Sequence, residues 1–153
     1  MAEMKVLLVD DEETFVQTLS ERLKMRDLKS DTVFDGTQAI DFVNENEPDV
    51  MVLDLKMPGI DGMEVLRRVK KMYPKIQVII LTGHGTDRDE EESRRLGVFD
   101  YLKKPVDIEE LVGRIKAAYH EKLQNTMAAA AFAEEGEYET ARSIMEKKEK
   151  KKK

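Results

Sequence analysis

The segment Val50-Met-Val-Leu-Asp-Leu-Lys-Met-Pro-Gly-Ile-Asp-Gly62 decides how the rest of the chain is interpreted. Four apolar residues lead directly to Asp54, and Pro58 and Gly59 then interrupt the pattern. A continuous apolar run of this kind is typical of a strand that is buried on both faces of a parallel sheet. In open α/β sheets, ligands bind in the crevice at the carboxyl ends of the strands. The segment therefore predicts that Asp54 lies in such a crevice.

Four more short runs have the character of strands, and helical patterns separate them. The predicted strands are residues 5–9, 30–34, 50–53, 76–81 and 98–102. The alternation predicts an α/β fold with a doubly wound, five-stranded parallel sheet and helices on both faces. Because crossover connections are right-handed, few topologies remain, and we expect the flavodoxin-like strand order 2-1-3-4-5.

The composition indicates one domain, with room for a small appendage. The chain has 153 residues, is 41% hydrophobic and contains no cysteine, which excludes disulfides and thiolate metal sites. No run approaches the roughly 20 apolar residues of a membrane span, and the first residues lack the features of a signal peptide. These observations together favour a cytoplasmic protein.

The net charge of −6 is unevenly distributed. Residues 147–153 are six lysines and one glutamate, so the rest of the chain sums to −11. An acidic body argues against a nucleic-acid surface on the main domain. We expect 147–153 to be a solvated, disordered tip. A weak contact of this tip with nucleic acid or an acidic partner is the alternative.

Five side chains with compatible chemistry follow the predicted strands. Strand 1 brings Asp10 and Asp11, strand 3 brings Asp54, strand 4 brings Thr82, and the loop after strand 5 brings Lys104. Clustered carboxylates disfavour one another's ionisation, and a hard cation such as Mg²⁺ relieves this. A hydroxyl and an ammonium group suit phosphoryl oxygens. The set indicates phosphoryl transfer onto a carboxylate.

Four motifs in the same order resemble the receiver domain of two-component response regulators. They are Asp10-Asp11, Val52-Leu-Asp54-Leu-Lys-Met-Pro-Gly59, Leu81-Thr82-Gly83 and Asp100-Tyr-Leu-Lys-Lys104-Pro105. The resemblance covers residues 3–122. It implies that Asp54 accepts a phosphoryl group from a phosphohistidine on a sensor histidine kinase or phosphotransfer protein.

The same resemblance implies a metal site. Asp11, Asp54 and the backbone carbonyl of Lys56 would bind Mg²⁺ directly, and Asp10 would act through a water molecule. Lys104 would lie over the site after a cis peptide bond to Pro105 and stabilise the phosphoryl group.

Two further residues would form the switch. Thr82 would move towards the phosphoryl group and hydrogen-bond to it, and Tyr101 would rotate inward into the space that Thr82 leaves.

Lys56 and His84 would flank the entrance and lengthen the lifetime of the acyl phosphate.

Each of these residues also has an ordinary structural explanation when it is considered alone. Asp11 could be a helix N-cap, Thr82 a turn residue and Tyr101 a half-buried strand aromatic. Lys104 could be a solvated charge, and His84 an ordinary loop residue. The joint occurrence of the motifs favours the functional interpretation.

The predicted fourth helix, residues 87–96, departs from the family pattern. Its only apolar residue is Leu96, and a helix without an apolar stripe gains little from packing. We therefore expect it to be short, mobile or ordered only by a partner. The alternative is that Ser93, the methylenes of Arg95 and Leu96 anchor it sufficiently.

The last helix is expected to continue beyond the receiver, from Ile108 to about Glu134. Apolar residues recur at every fourth position, at Leu111, Ile115, Tyr119, Leu123, Met127 and Ala131. We assign residues 123–146 to a helical C-terminal extension, with a turn at Gly136. A helical hairpin, a disordered tail and packing on a homodimer mate all remain open.

No DNA-binding or other output pattern follows the receiver motifs, so we expect output through binding to another, unidentified protein. The chain would catalyse only its own phosphorylation and dephosphorylation. A phosphorylation-independent adaptor is one alternative. An aspartyl-phosphate phosphatase or phosphotransferase of the haloacid dehalogenase kind is another, although that family needs an Asp-x-Asp pattern on strand 1 where this chain has adjacent Asp10 and Asp11.

Overall fold

The structure is a computed structural model that describes residues 3–134, with side chains described to residue 128. Strands and helices alternate throughout. In chain order the elements are β1 (Val6–Val9), α1 (Glu13–Lys24), β2 (Ser30–Val33), α2 (Gly36–Glu45), β3 (Val50–Leu53), α3 (Gly62–Met72), β4 (Gln77–Thr82), α4 (Asp87–Arg95), β5 (Asp100–Lys103) and α5 (Ile108–Glu134).

All five strands are parallel and lie in the order β2-β1-β3-β4-β5, which confirms the predicted topology. The register aligns the ends of the central strands: Val9 lies opposite Leu53, and Leu53 lies opposite Ile80. The residues that follow β1 and β3 therefore leave the sheet at the same level. This register brings together the carboxylates of Asp10 and Asp54, which are distant in the sequence.

The core has two layers, one on each face of the sheet. Alternate residues of β3 point to opposite layers, since Met51 belongs to one cluster and Val52 to the other. Helices α2 and α3 cover the first layer, and α1 and α5 cover the second. Burial on both faces explains why β1 and β3 are continuously apolar.

The last two strands begin later than the sequence indicates. We expected residues 76–81 and 98–102, but β4 is Gln77–Thr82 and β5 is Asp100–Lys103. Val98 belongs instead to the turn that follows α4, where its N–H donates to the carbonyl of Ser93 at 3.2 Å. Thr82 belongs to β4 because it pairs with Lys103.

Helix α4 is short, as expected. Its first turn is closed by a capping box between Thr86 and Asp89. Ser93 is fully buried, and its hydroxyl donates to the carbonyl of Asp89 at 2.6 Å and lies 3.6 Å from the sulfur of Met63. Leu96 packs against the core. Anchoring by Ser93 and Leu96 is therefore sufficient, while Arg95 stays exposed.

An ion pair between Arg67 of α3 and Glu92 adds a second attachment of α4. Arg67 also pairs with Glu64 on its own helix at 3.4 Å. Because these side chains are partly exposed, the pair contributes at most about 1 kcal/mol. Helix α4 is thus attached by a buried serine and by charges instead of an apolar stripe.

Helix α5 runs from Ile108 to Glu134 without interruption, as the apolar repeat predicts, and is about 40 Å long. Leu111 and Ile115 are fully buried, but Leu123 and Met127 are exposed. Lys122, which directly precedes Leu123, forms an ion pair with Asp49. Asp49 lies at the opposite end of the sheet from Asp54.

The division into residues 3–122 and an extension over 123–146 stays a prediction. The turn at Gly136, the hairpin alternative and the 147–153 tip lie outside the described residues. Within residues 3–134, no helix combines the length and the hydropathy needed to cross a membrane.

The buried position of Ser93 can be tested with Ser93→Leu. We expect the larger side chain to overpack the contact with Met63 and lower the free energy of unfolding by about 1–3 kcal/mol in urea titrations. Glu91→Leu is the matched control, because Glu91 is exposed on the same helix; its effect should stay within about 0.5 kcal/mol. Equal effects of the two substitutions would contradict the proposed attachment of α4.

Candidate functional site

Three carboxylates meet where β1 and β3 end. Asp10 and Asp54 are buried, at 4% and 3% exposure, and Asp11 is exposed. Each can supply one oxygen such that all three oxygens lie within 4.8 Å of one another. A set of carboxylate oxygens suits a hard divalent cation such as Mg²⁺ and not a metal that prefers nitrogen or sulfur ligands. The geometry therefore fits the predicted ion.

Backbone hydrogen bonds hold the two buried carboxylates at the ends of their strands. The N–H of Asp10 donates to the carbonyl of Val33 at 3.2 Å, and the N–H of Asp54 donates to that of Val9 at 2.9 Å. The Asp10 side chain in turn accepts from the N–H of Glu12 at 2.9 Å. A short polar side chain that bonds to a following N–H is a common turn device.

The loop after Asp54 is packed tightly against the site. The N–H of Gly62 donates to the carbonyl of Leu55 at 2.9 Å. A side chain at Gly62 would collide with the backbone of Asp54 and Leu55, so glycine is needed for this close approach. The opening of α3 is capped by Asp61, whose side chain accepts from the N–H of Glu64 at 3.0 Å.

Lys104 reaches into the carboxylate cluster. Its Nζ lies 2.7 Å from Oδ2 of Asp10, 3.4 Å from Oε1 of Glu12 and 3.9 Å from Oδ2 of Asp54. The peptide bond from Lys104 to Pro105 is cis, as the resemblance implied.

The pair formed by Lys104 and Asp10 is tightly coupled. Burial alone would lower the pKa of Lys104, but its hydrogen bond and charge attraction to Asp10 outweigh burial, and the net pKa is raised. Burial raises the pKa of Asp10, and the hydrogen bond from Lys104 opposes that rise. Lys104 is therefore a stable ammonium group beside the cluster.

Two contacts of Lys104 were not predicted from the sequence. Glu12 supplies the outer carboxylate, and the ring of Phe15 lies 4.4 Å from the ammonium nitrogen, within cation–π range. Glu12 directly follows the Asp pair, which is a usable signal. The sequence contains no such signal for Phe15, because its spacing is that of an ordinary residue on the apolar face of α1.

Thr82 lies on β4 two residues after Ile80, and Ile80 is the residue that pairs with Tyr101 on β5. Thr82 is 1% exposed, and its hydroxyl accepts from the N–H of His84 at 3.4 Å. The ring of Tyr101 is buried, and burial raises the pKa of its phenol. Its hydroxyl contacts the backbone at Gly85, where any side chain would collide with it. Among the described residues that hydroxyl has no hydrogen-bond partner.

Lys56 and His84, which we expected to flank the entrance to the site, differ from each other in their surroundings. Lys56 is half exposed, its backbone N–H lies 3.4 Å from Oδ1 of Asp54, and its ammonium group pairs with Asp89 of α4 at 3.5 Å. His84 is exposed. The structure thus brings together Asp10, Asp11, Asp54 and Lys104, with Thr82 at the end of the next strand, while the roles of Lys56 and His84 stay predictions.

A comparison with protein families matches residues 6–116 to the response regulator receiver domain. Among solved structures, a response regulator receiver domain protein from Clostridium thermocellum is 36% identical, with a TM-score of 0.75, and the match covers 79% of this chain and 98% of that one. The receiver domain of the Francisella response regulator 1452 is 32% identical, with a TM-score of 0.72, over 78% and 98% of the two chains.

A CheY-like receiver domain protein from Methanospirillum hungatei shares the fold at 21% identity, with a TM-score of 0.78, over 80% of this chain and 98% of that one. This chain belongs to the response regulator receiver domain family of two-component systems.

The cation site can be tested through stability. A ligand that binds only the folded state stabilises it, by about 1.4 kcal/mol at ten times its Kd. We expect Mg²⁺ to raise the free energy of unfolding of the wild type and to do so much less for Asp11→Asn. Glu13→Gln, an exposed change nearby on α1, should keep the full response. Equal stabilisation of wild type and Asp11→Asn would contradict the assignment of this site.

Proposed function

We propose that this chain is a phosphorylation-activated receiver in which Asp54 accepts a phosphoryl group from a sensor histidine kinase or a phosphotransfer protein. The observation that supports the proposal most directly is the ammonium group of Lys104, which lies beside the buried Asp10 and 3.9 Å from Asp54. A structural ion pair would need only one carboxylate. A cation held between two of them, at a sheet edge, is suited to receive a phosphoryl group.

The chemistry is a displacement at phosphorus. A carboxylate oxygen of Asp54 attacks the phosphorus atom of the phosphohistidine and forms an acyl phosphate bond. The P–N bond breaks, and its electron pair stays on the imidazole nitrogen of the donor. The backbone of Asp54 is fixed by its hydrogen bond to Val9, and its carboxylate is approached by the N–H of Lys56 at 3.4 Å, so little orientational freedom must be lost.

We propose that Asp11, Asp54 and the carbonyl of Lys56 hold Mg²⁺ directly and that Asp10 holds it through water. When bound, the ion would neutralise charge on the phosphoryl oxygens. Asp10 has a second role in this arrangement, because its hydrogen bond orients the ammonium group of Lys104. Lys104 then stabilises the charge that develops on the transferred group.

The readout of phosphorylation is proposed to pass through Thr82 and Tyr101. A hydrogen bond from the Thr82 hydroxyl to the phosphoryl group would stabilise the inward position of the Tyr101 ring. Because the hydroxyl of Tyr101 touches the backbone at Gly85, a change at Thr82 would reach the loop that precedes α4. Lys56 and His84 are proposed to prolong the lifetime of the phosphoryl group.

Output is proposed to pass through protein–protein contacts. The partners are the phosphoryl donor and a downstream protein, and a homodimer that uses the exposed Leu123 and Met127 of α5 is a further option. The chain is proposed to catalyse only its own phosphorylation and dephosphorylation and to turn over no separate substrate.

Phosphotransfer is tested with radiolabelled acetyl phosphate and Mg²⁺. We expect the wild type to acquire a label that hydroxylamine removes, and Asp54→Asn to acquire none. Lys104→Met keeps the length of the side chain but removes its charge, and we expect the labelling rate to fall by about a hundredfold.

Lys103→Met is the matched control, because Lys103 is the exposed neighbour on β5 and its loss should leave the rate unchanged. Thermal unfolding establishes that each variant is folded. Label that persists in Asp54→Asn would contradict the proposed acceptor. A wild type that takes up no label would instead favour a phosphorylation-independent adaptor.

A further inference from the structure

The side chain of Lys56 joins the loop after Asp54 to helix α4. The backbone N–H of Lys56 lies 3.4 Å from Oδ1 of Asp54, and its ammonium group lies 3.5 Å from Oδ2 of Asp89. The same residue therefore contacts the acceptor carboxylate with its backbone and the first turn of α4 with its charge.

Asp89 is held firmly in place. Its Oδ2 accepts from the N–H of Thr86 at 3.0 Å, and its own N–H donates to the hydroxyl of Thr86 at 3.1 Å. This capping box fixes the carboxylate, whose side chain is only 18% exposed, whereas the side chain of Lys56 is 50% exposed. The hydrogen bond from Thr86, with the charge of Lys56 added, keeps the pKa of Asp89 below its usual range. Asp89 is the fixed member of the pair and Lys56 the movable one.

We propose that Asp89 is a positioning residue that acts through Lys56: by holding the ammonium group on α4, it withholds it from the phosphoryl group on Asp54 and shortens the lifetime of that group. The inference rests on the proposed function. A phosphoryl group carries about −1.5 to −2 charges and competes with a single carboxylate for the same cation. The flexible stem of lysine permits the exchange.

The competition between Asp89 and the phosphoryl group for the ammonium group of Lys56 couples the site to α4 in both directions. If Asp89 weakens the contact between Lys56 and the phosphoryl group, the phosphoryl group must weaken the contact between Lys56 and Asp89 by the same factor. The rest of α4 stays attached through Ser93 and the pair between Arg67 and Glu92. Phosphorylation would therefore release the charge link at the first turn of α4 without detaching the helix.

The test is the half-life of the labelled acyl phosphate in Asp89→Asn. Asparagine keeps an oxygen that can accept from Thr86 but does not attract Lys56 by charge. We expect the half-life to lengthen about two- to fivefold, the range that a partly exposed ion pair supports. In a Lys56→Ala background, Asp89→Asn should have no further effect.

Asp87→Asn is the matched control, since it also removes one carboxylate from the first turn of α4 but not the partner of Lys56; its half-life should equal that of the wild type. If Asp89→Asn is unstable in thermal unfolding, Asp89→Ser provides a second neutral variant with a capping oxygen, and the same lengthening is expected.

An unchanged half-life in the folded Asp89 variant would overturn the proposal. So would an equal lengthening in Asp87→Asn, or one that persists in the Lys56→Ala background, because either result would show a general effect of charge. Failure of the proposed function gives a different result, in which the wild type takes up no label that depends on Asp54, and the inference is then overturned with it.

Discussion

The contact of Lys104 with Asp10 and Asp54 is the interaction on which the site depends. Two carboxylates that are nearly inaccessible to water lie at the same edge of the sheet, where burial and repulsion from the charge of Asp54 both raise the pKa of Asp10. The ammonium group of Lys104 offsets this repulsion from one side. The exposed Asp11 completes an oxygen set on which a divalent cation could offset the rest.

The sheet brings these groups together. Parallel pairing in register places the ends of β1 and β3 side by side, and the hydrogen bonds of Asp10 and Asp54 to Val33 and Val9 continue that alignment past the strands. Continuous apolar strands with covered faces hold this edge rigid. The side chain of Lys56 is the movable part, and it is attached by charge to the first turn of α4 at the rim of this edge. Rigid positioning of Asp54 is thereby combined with a weakly held side chain.

Patterns local in the sequence predicted most of this arrangement. The apolar run before Asp54 identified a doubly buried strand, and the four-residue repeat after Ile108 identified the long α5. Anchoring of α4 by Ser93 and Leu96 was one of two alternatives, but the ion pair of Glu92 with Arg67 was missed, because no periodicity within α4 reports a contact with another helix. The contact of Lys104 with Phe15 was missed for the same reason, since only the tertiary structure brings these two residues together.

We propose that a phosphoryl group on Asp54 is sensed by β4, β5 and α4. This is tested by backbone NMR of the whole chain with Mg²⁺ and beryllofluoride, which mimics a phosphoryl group, in the wild type and in Asp54→Ala. We expect shift changes at Thr82, at Tyr101 and over residues 87–96 in the wild type and none in the variant. A wild type that does not respond, or a variant that responds equally, would contradict it.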